Sequence, residues 1–128
     1  MILRYVFTFL TFVYLTNCSG NSKNDELSEQ NEFSSPEIQF TQAMLMFDNQ
    51  QYELATDKFK NIERIYPLSN EAIQSQIMLG FINYILLDYD TAIFQFNRII
   101  NKYPSLKNID YVYYMKALCF YEQISHEG

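Results

Sequence analysis

The chain has 128 residues, 48% apolar and 17% aromatic, with a formal charge of −6, which suffices for one small domain with its own core. Its 3 glycines stand apart at Gly20, Gly80 and Gly128, and 1 histidine with 2 cysteines makes no ligand set, so a glycine-rich phosphate loop and a structural zinc site are excluded. The acidic balance also argues against a protein that tracks nucleic-acid phosphates, so no nucleic acid is expected among its partners; what remains is a helical binding module or a structural protein.

Residues 1–17 begin the chain with Arg4 and then an apolar run, Tyr5 to Leu15, broken only by Thr8 and Thr11. At about 1.5 Å per residue the run covers roughly half of a bilayer's hydrocarbon core. It is too short to span and of the length of a secretory signal. Leu15-Thr16-Asn17-Cys18 resembles a bacterial lipobox, with Leu three residues before the Cys. That resemblance implies cleavage before Cys18 and lipid on its thiol; the other reading is an ordinary secretory signal in which Cys18 is incidental. Ser19, rather than Asp, follows, which by the same resemblance implies sorting to the outer membrane of a diderm bacterium. Residues 18–35 continue as a polar stretch in which Asp25, Glu26, Glu29 and Glu32 oppose only Lys23. Such a stretch buries too little apolar surface to order itself and is expected to be a flexible tether.

From residue 36 the chain repeats at a spacing of 37. Tyr52 matches Tyr89, Ala55 matches Ala92, Phe59 matches Phe96, Ile62 matches Ile99, and Tyr66-Pro67 matches Tyr103-Pro104. Two further columns run through three units: Ala43, Gly80 and Ala117, and Phe47, Tyr84 and Tyr121. A fixed period in this range marks a stacked helical array. Within each unit the apolar residues recur at helical spacing, and each second helix stops at Tyr-Pro, because proline cannot continue a helix and displaces the residue before it. The pattern predicts helices over 36–48, 52–66, 70–86, 89–103 and 109–124, with Asp88 as an N-cap. The units are therefore 36–67, 70–104 and the first helix of a third, 109–124.

These columns resemble the tetratricopeptide repeat: small residues at the eighth and twentieth positions, an aromatic at the twenty-fourth and Pro at the thirty-second. Ala43, Ala55, Phe59 and Pro67 fill them once, and Gly80, Ala92, Phe96 and Pro104 fill them again. Gln39 and Gln76 depart from the large residue usual near the start of the first helix. The expected fold is all-α, a tetratricopeptide-like α-solenoid of about two and a half helix-pair repeats.

The runs Ile99-Ile100-Asn101-Lys102-Tyr103-Pro104 and Lys107-Asn108-Ile109-Asp110-Tyr111-Val112-Tyr113-Tyr114-Met115-Lys116-Ala117-Leu118 narrow this further. Together with the lipobox they resemble the BamD family, lipoproteins of the outer-membrane β-barrel assembly machinery. The resemblance implies a non-catalytic component, lipid-anchored on the periplasmic face of the outer membrane, that binds unfolded β-barrel proteins, BamA and the other subunits, with no cofactor. Members of that family carry more repeats than this chain, so the chain is expected to correspond to the N-terminal half, the part associated with precursor recognition.

By the repeat register the first helices would line a groove through the columns Phe40/Ile77/Tyr114, Met44/Phe81/Leu118 and Phe47/Tyr84/Tyr121. Candidate peptide contacts are Phe40, Phe47, Tyr84, Tyr111, Tyr114 and Tyr121, because aromatic side chains with a polar tip give contact area at low entropy cost and can bond a peptide backbone. The same positions can instead pack against the neighbouring repeat, and for Met44, Phe81 and Leu118 that is the favoured reading. Asp57, Lys58, Lys60, Glu63 and Arg64 read as a solvated helix face, and Arg64 and Arg98 suit the ends of their helices. Cys119 reads as a buried, inert thiol, with a bridge to Cys18 as the alternative. His126 has no nucleophile or acid at a suggestive spacing, and the Asp88/Asp90 pair sits at a turn, so no catalytic, cofactor or metal site is expected. Two competing readings are a generic periplasmic repeat lipoprotein acting as an envelope scaffold, and the repeat module of a truncated secreted enzyme. With a third repeat of one helix, Tyr113, Phe120 and Ile124 are expected to be exposed.

Overall fold

Five helices follow one another in the computed structural model, which describes residues 34–126: α1 Pro36–Asp48, α2 Tyr52–Ile65, α3 Asn70–Ile85, α4 Tyr89–Lys102 and α5 Ile109–His126. They belong to one compact unit, Ser34–Gly128. The expected signal segment, Cys18 and almost all of the tether lie outside the described residues. The all-α, tetratricopeptide-like stack is borne out, and α5 runs two residues past its expected end.

Local chemistry sets each boundary. Pro36 opens α1, where its missing N–H is no loss. Ser69 Oγ accepts the Ala72 N–H at 3.0 Å to cap α3, and Asp88 Oδ1 accepts the Thr91 N–H at 3.2 Å to cap α4, as predicted. Tyr66 and Tyr103 are the C-caps of α2 and α4, each directly before its proline. The turns inside the repeats end α1 and α3 by one device that no glycine announces. Gln50 and Leu87 take φ of 60° and 62°. In the first turn the Gln51 N–H reaches Met46 O at 2.9 Å and the Gln50 N–H reaches Phe47 O at 2.8 Å; in the second, Asp88 reaches Asn83 O at 2.9 Å and Leu87 reaches Tyr84 O at 3.1 Å. These are paired Schellman closures, here made with a Gln and a Leu in the left-handed position that glycine usually takes.

Sequential helices pack against each other, and the first helices α1, α3 and α5 also touch in order. Two buried clusters result. Ala43, Ala55, Phe59, Ile62, Ala72, Leu79 and Ile82 form the first, and Ile77, Ala92, Phe96, Ile99, Val112, Met115 and Cys119 the second. Only α3 contributes to both. The small-residue column works as expected at Gly80, whose open Cα faces the Phe96 ring. Gln39 and Gln76 are both buried, and Gln39 Nε2 donates to Ser34 O at 3.2 Å. Tyr66 Oη donates to the same carbonyl at 2.6 Å, tying the entry of the domain to the end of α2.

The structure corrects one position of the groove register. Ile77 is only 7% exposed and belongs to the second cluster, so it lines no groove. It sits on a helix that packs against α2, α4 and α5 as well as α1, whereas among the described residues no helix pair precedes α1.

Candidate functional site

A ladder of aromatic rings crosses the joint between the repeats. Phe47 of α1 lies 5.6 Å from Tyr52 and 5.8 Å from Phe81, centroid to centroid. Phe81 stacks on Tyr84 at 6.3 Å with 10° between the planes, and Tyr84 meets Tyr89 at 5.8 Å. The spacings are those of favourable offset or tilted pairs. The ladder exists because Phe47 and Tyr84 hold equivalent places in successive first helices, while Tyr52 and Tyr89 open the second helices directly across the turns.

Phe47 and Tyr84 are thus brought together, both half-buried, with Phe81 between them. Phe40 is not part of the ladder: its ring packs 5.6 Å from Phe59 inside the first repeat. Met44, Phe81 and Leu118 are partly buried against the clusters, in keeping with their packing reading. Tyr111, Tyr114 and Tyr121 project from α5 with exposures of 44%, 61% and 66%.

Electrostatics joins the ladder to α5. Burial pushes the Tyr84 hydroxyl above the ordinary tyrosine value, and the Glu122 carboxylate adds to the rise, followed by Tyr89, Cys119 and Tyr114. Tyr89 is raised as well, first by burial and then by Glu122 and Cys119. Both hydroxyls therefore stay protonated at neutral pH and remain donors. Glu122 and the two second-helix tyrosines were not among the sequence-derived contacts. The match of Tyr52 with Tyr89 was visible, but it reads as helix stripe until the turns bring these rings against the first helices.

Other groups settle into structural places. Cys119 is fully buried and its thiol is pushed up by desolvation, in keeping with an inert core thiol. The charged face of α2 is partly engaged. Lys58 Nζ donates to Gln42 Oε1 at 3.0 Å, and Glu63 pairs with Arg98 at 2.8 Å across the two second helices. Arg98 thus has a partner besides the dipole of its own helix. Among the described residues no group of three or more His, Cys, Asp or Glu is placed to hold a metal ion, and no helix is long and apolar enough to cross a membrane.

Residues 34–127 match the family model YfiO, outer membrane lipoprotein. Three curated relatives carry the name "Outer membrane protein assembly factor BamD". The protein of Caulobacter vibrioides is 29% identical over 110 residues, 86% of this chain and 35% of the relative. That of Rickettsia prowazekii is 28% identical over 86 residues, 67% of this chain and 34% of the relative. That of Pasteurella multocida is 26% identical over 114 residues, 89% of this chain and 41% of the relative. The chain thus spans between about a third and two-fifths of the length of these relatives.

Proposed function

The chain belongs to the YfiO family of outer membrane lipoproteins, and on that footing we propose that it is a non-catalytic assembly factor that grips extended segments of unfolded outer-membrane β-barrel proteins. The name borne by its relatives supports an assembly role. The observation that carries the substrate class is the aromatic ladder from Tyr52 through Phe47, Phe81 and Tyr84 to Tyr89. Barrel strands alternate apolar and polar side chains. A row of rings accepts the apolar set, and the protonated Tyr84 hydroxyl donates to a strand carbonyl that has no other partner. Exposed Tyr114 and Tyr121 extend the same surface onto α5. Lipid on Cys18 would hold this surface at the periplasmic face of the outer membrane through a tether over 18–35, beside BamA and the other subunits.

The test is a fluorescence-anisotropy titration with a labelled peptide of alternating apolar and polar residues ending in Phe. Tyr84→Ala combined with Tyr121→Ala is expected to weaken binding about tenfold or more, the size of a central aromatic contact. A peptide of equal charge without aromatic or aliphatic residues is expected not to bind. Equal affinity of the double variant and the parent chain would sink the proposal. Mass spectrometry of the mature N-terminal peptide tests the anchor separately, by the presence of lipid on Cys18.

A further inference from the structure

Tyr52 belongs to two surfaces. Its ring ends the aromatic ladder at Phe47, and it also lines a cleft of about 780 Å³ formed where the first turn and the start of α2 meet the end of α3. Two leucines give the cleft apolar walls: Leu54 of α2 is 51% exposed, and Leu86, which ends α3, is 56% exposed. Asn83 lines it from α3 with a side-chain amide held by its own bond to Leu79 O at 2.9 Å. Along α2 the charged lining residues run acid, acid, base: Glu53, Asp57 and Lys60, each about one helical turn from the next. Glu53 stands in the first turn, where the helix dipole favours an acid. Asp57 lies beyond that turn and four residues from Glu53, a like-charge spacing that an isolated helix disfavours. Gln50, at φ 60°, lines the cleft as well. Non-glycine residues kept in such a conformation gather at functional sites.

Resting on the ladder as the peptide surface, we propose that the bound segment runs on past Tyr52 into this cleft, where it carries an apolar residue followed by one Lys or Arg. Leu54 and Leu86 seat the apolar side chain, and the carboxylates of Glu53 and Asp57 complement the cation. Asp57 follows Tyr52 by five residues, about 7.5 Å along the helix axis. An extended strand covers that distance in about two residues. The basic residue therefore belongs about two positions beyond the one seated on Tyr52. Lys60 sets the limit of the acidic stretch, so a longer basic run meets like charge there. The ladder alone accepts the apolar face of any strand. The cleft adds a choice among strands by the sign of the charge that flanks that face, with repulsion at Lys60 as well as attraction at Asp57.

The test takes the full chain and the labelled alternating peptide, unextended or lengthened by Leu-Lys or Leu-Gln at one end or the other, in anisotropy titrations at about 0.1 M salt. At one end Leu-Lys is expected to bind about threefold to fivefold more tightly than Leu-Gln, the size of an exposed charge pair, and high salt should erase the difference. Asp57→Asn should abolish the preference and leave the Leu-Gln affinity unchanged. Leu86→Ser should weaken both extended peptides and spare the unextended one. Glu71→Gln removes the same charge in the first turn of α3, about 18 Å along that helix from Asn83 and beyond the screening length of about 10 Å. It should keep the preference. Equal affinity for Leu-Lys and Leu-Gln at both ends overturns the inference while binding of the unextended peptide leaves the ladder standing. A preference lost equally with Glu71→Gln and Asp57→Asn also overturns it, as attraction to the acidic chain at large. Failure of the unextended peptide to bind sinks the ladder reading, and the extension falls with it.

Discussion

A Cβ built on Gly80 would stand 2.6 Å from Cε1 and 2.9 Å from Cζ of Phe96. Phe96 is fully buried in the second cluster, so its ring has little room to retreat. Ala43 holds the equivalent place in the first repeat, and repeat symmetry alone would suggest that alanine fits at 80. We expect the opposite. Gly80→Ala gains about 1 kcal/mol of helix propensity but overpacks the site by about 1–3 kcal/mol, a net loss of about 1 kcal/mol. Urea denaturation should show it, and Phe96→Leu in the same chain should remove most of the Gly80→Ala penalty. An unchanged midpoint for Gly80→Ala would mean that the ring moves freely.

Leu87 sits at φ 62° and is 66% exposed. An L-residue pays about 1–2 kcal/mol in this conformation, and glycine avoids that at an entropic cost of about 0.5–1 kcal/mol. Leu87→Gly is therefore expected to stabilise the domain by up to about 1 kcal/mol, and Leu87→Ala to change little. Thermal melts of the two variants beside the parent chain separate the backbone effect from the loss of the side chain.

Tyr66 and Gln39 donate to one carbonyl, that of Ser34. Tyr66→Phe removes one of the two donors and keeps the ring. The expected loss is about 1 kcal/mol or less, felt locally at the start of α1. Hydrogen exchange should rise at the Gln39 amide, which bonds Ser35 O at 3.1 Å, and stay unchanged in α4 and α5.

Tyr84 and Tyr89 are both raised from 10.0, so the folded domain holds their protons longer than the unfolded chain does. Their influence on stability is constant below the ordinary tyrosine value. Stability is then lost as pH climbs through the raised folded values, because the unfolded chain releases those protons first. Ultraviolet titration of the phenolate band should show Tyr84 and Tyr89 ionising after the exposed tyrosines. Glu122→Gln should move both toward the ordinary value, with burial leaving a residual rise.

Much of the helix order was legible because each boundary has a local cause: Pro67 and Pro104 stop α2 and α4, Asp88 caps α4, and Ala55, Phe59 and Ile62 repeat one unit later. The intra-repeat turns were not, since Gln50 and Leu87 carry no mark of a left-handed backbone. Register assigned Ile77 to a groove because it cannot say how many neighbours a helix has; α3, covered from both directions, buries a position that α1 leaves half open. The candidate surface was legible as a column of aromatics at the repeat spacing. Its extension to Tyr52, Tyr89 and Glu122 depends on contacts across turns and between helices, which linear spacing does not record.

The part played by α3 in both clusters bears on how the chain matures from its N-terminus. Neither nucleus can close on its own helix pair: the first waits for Ile82 and the second for Cys119. While residues emerge in order, α1 and α2 stay unsealed until α3 arrives. From then until α4 and α5 are released, the side of α3 bearing Ile77 is incompletely covered. The leading repeat is therefore vulnerable early and the central helix late, and a chaperone guarding this protein would be needed in two successive windows.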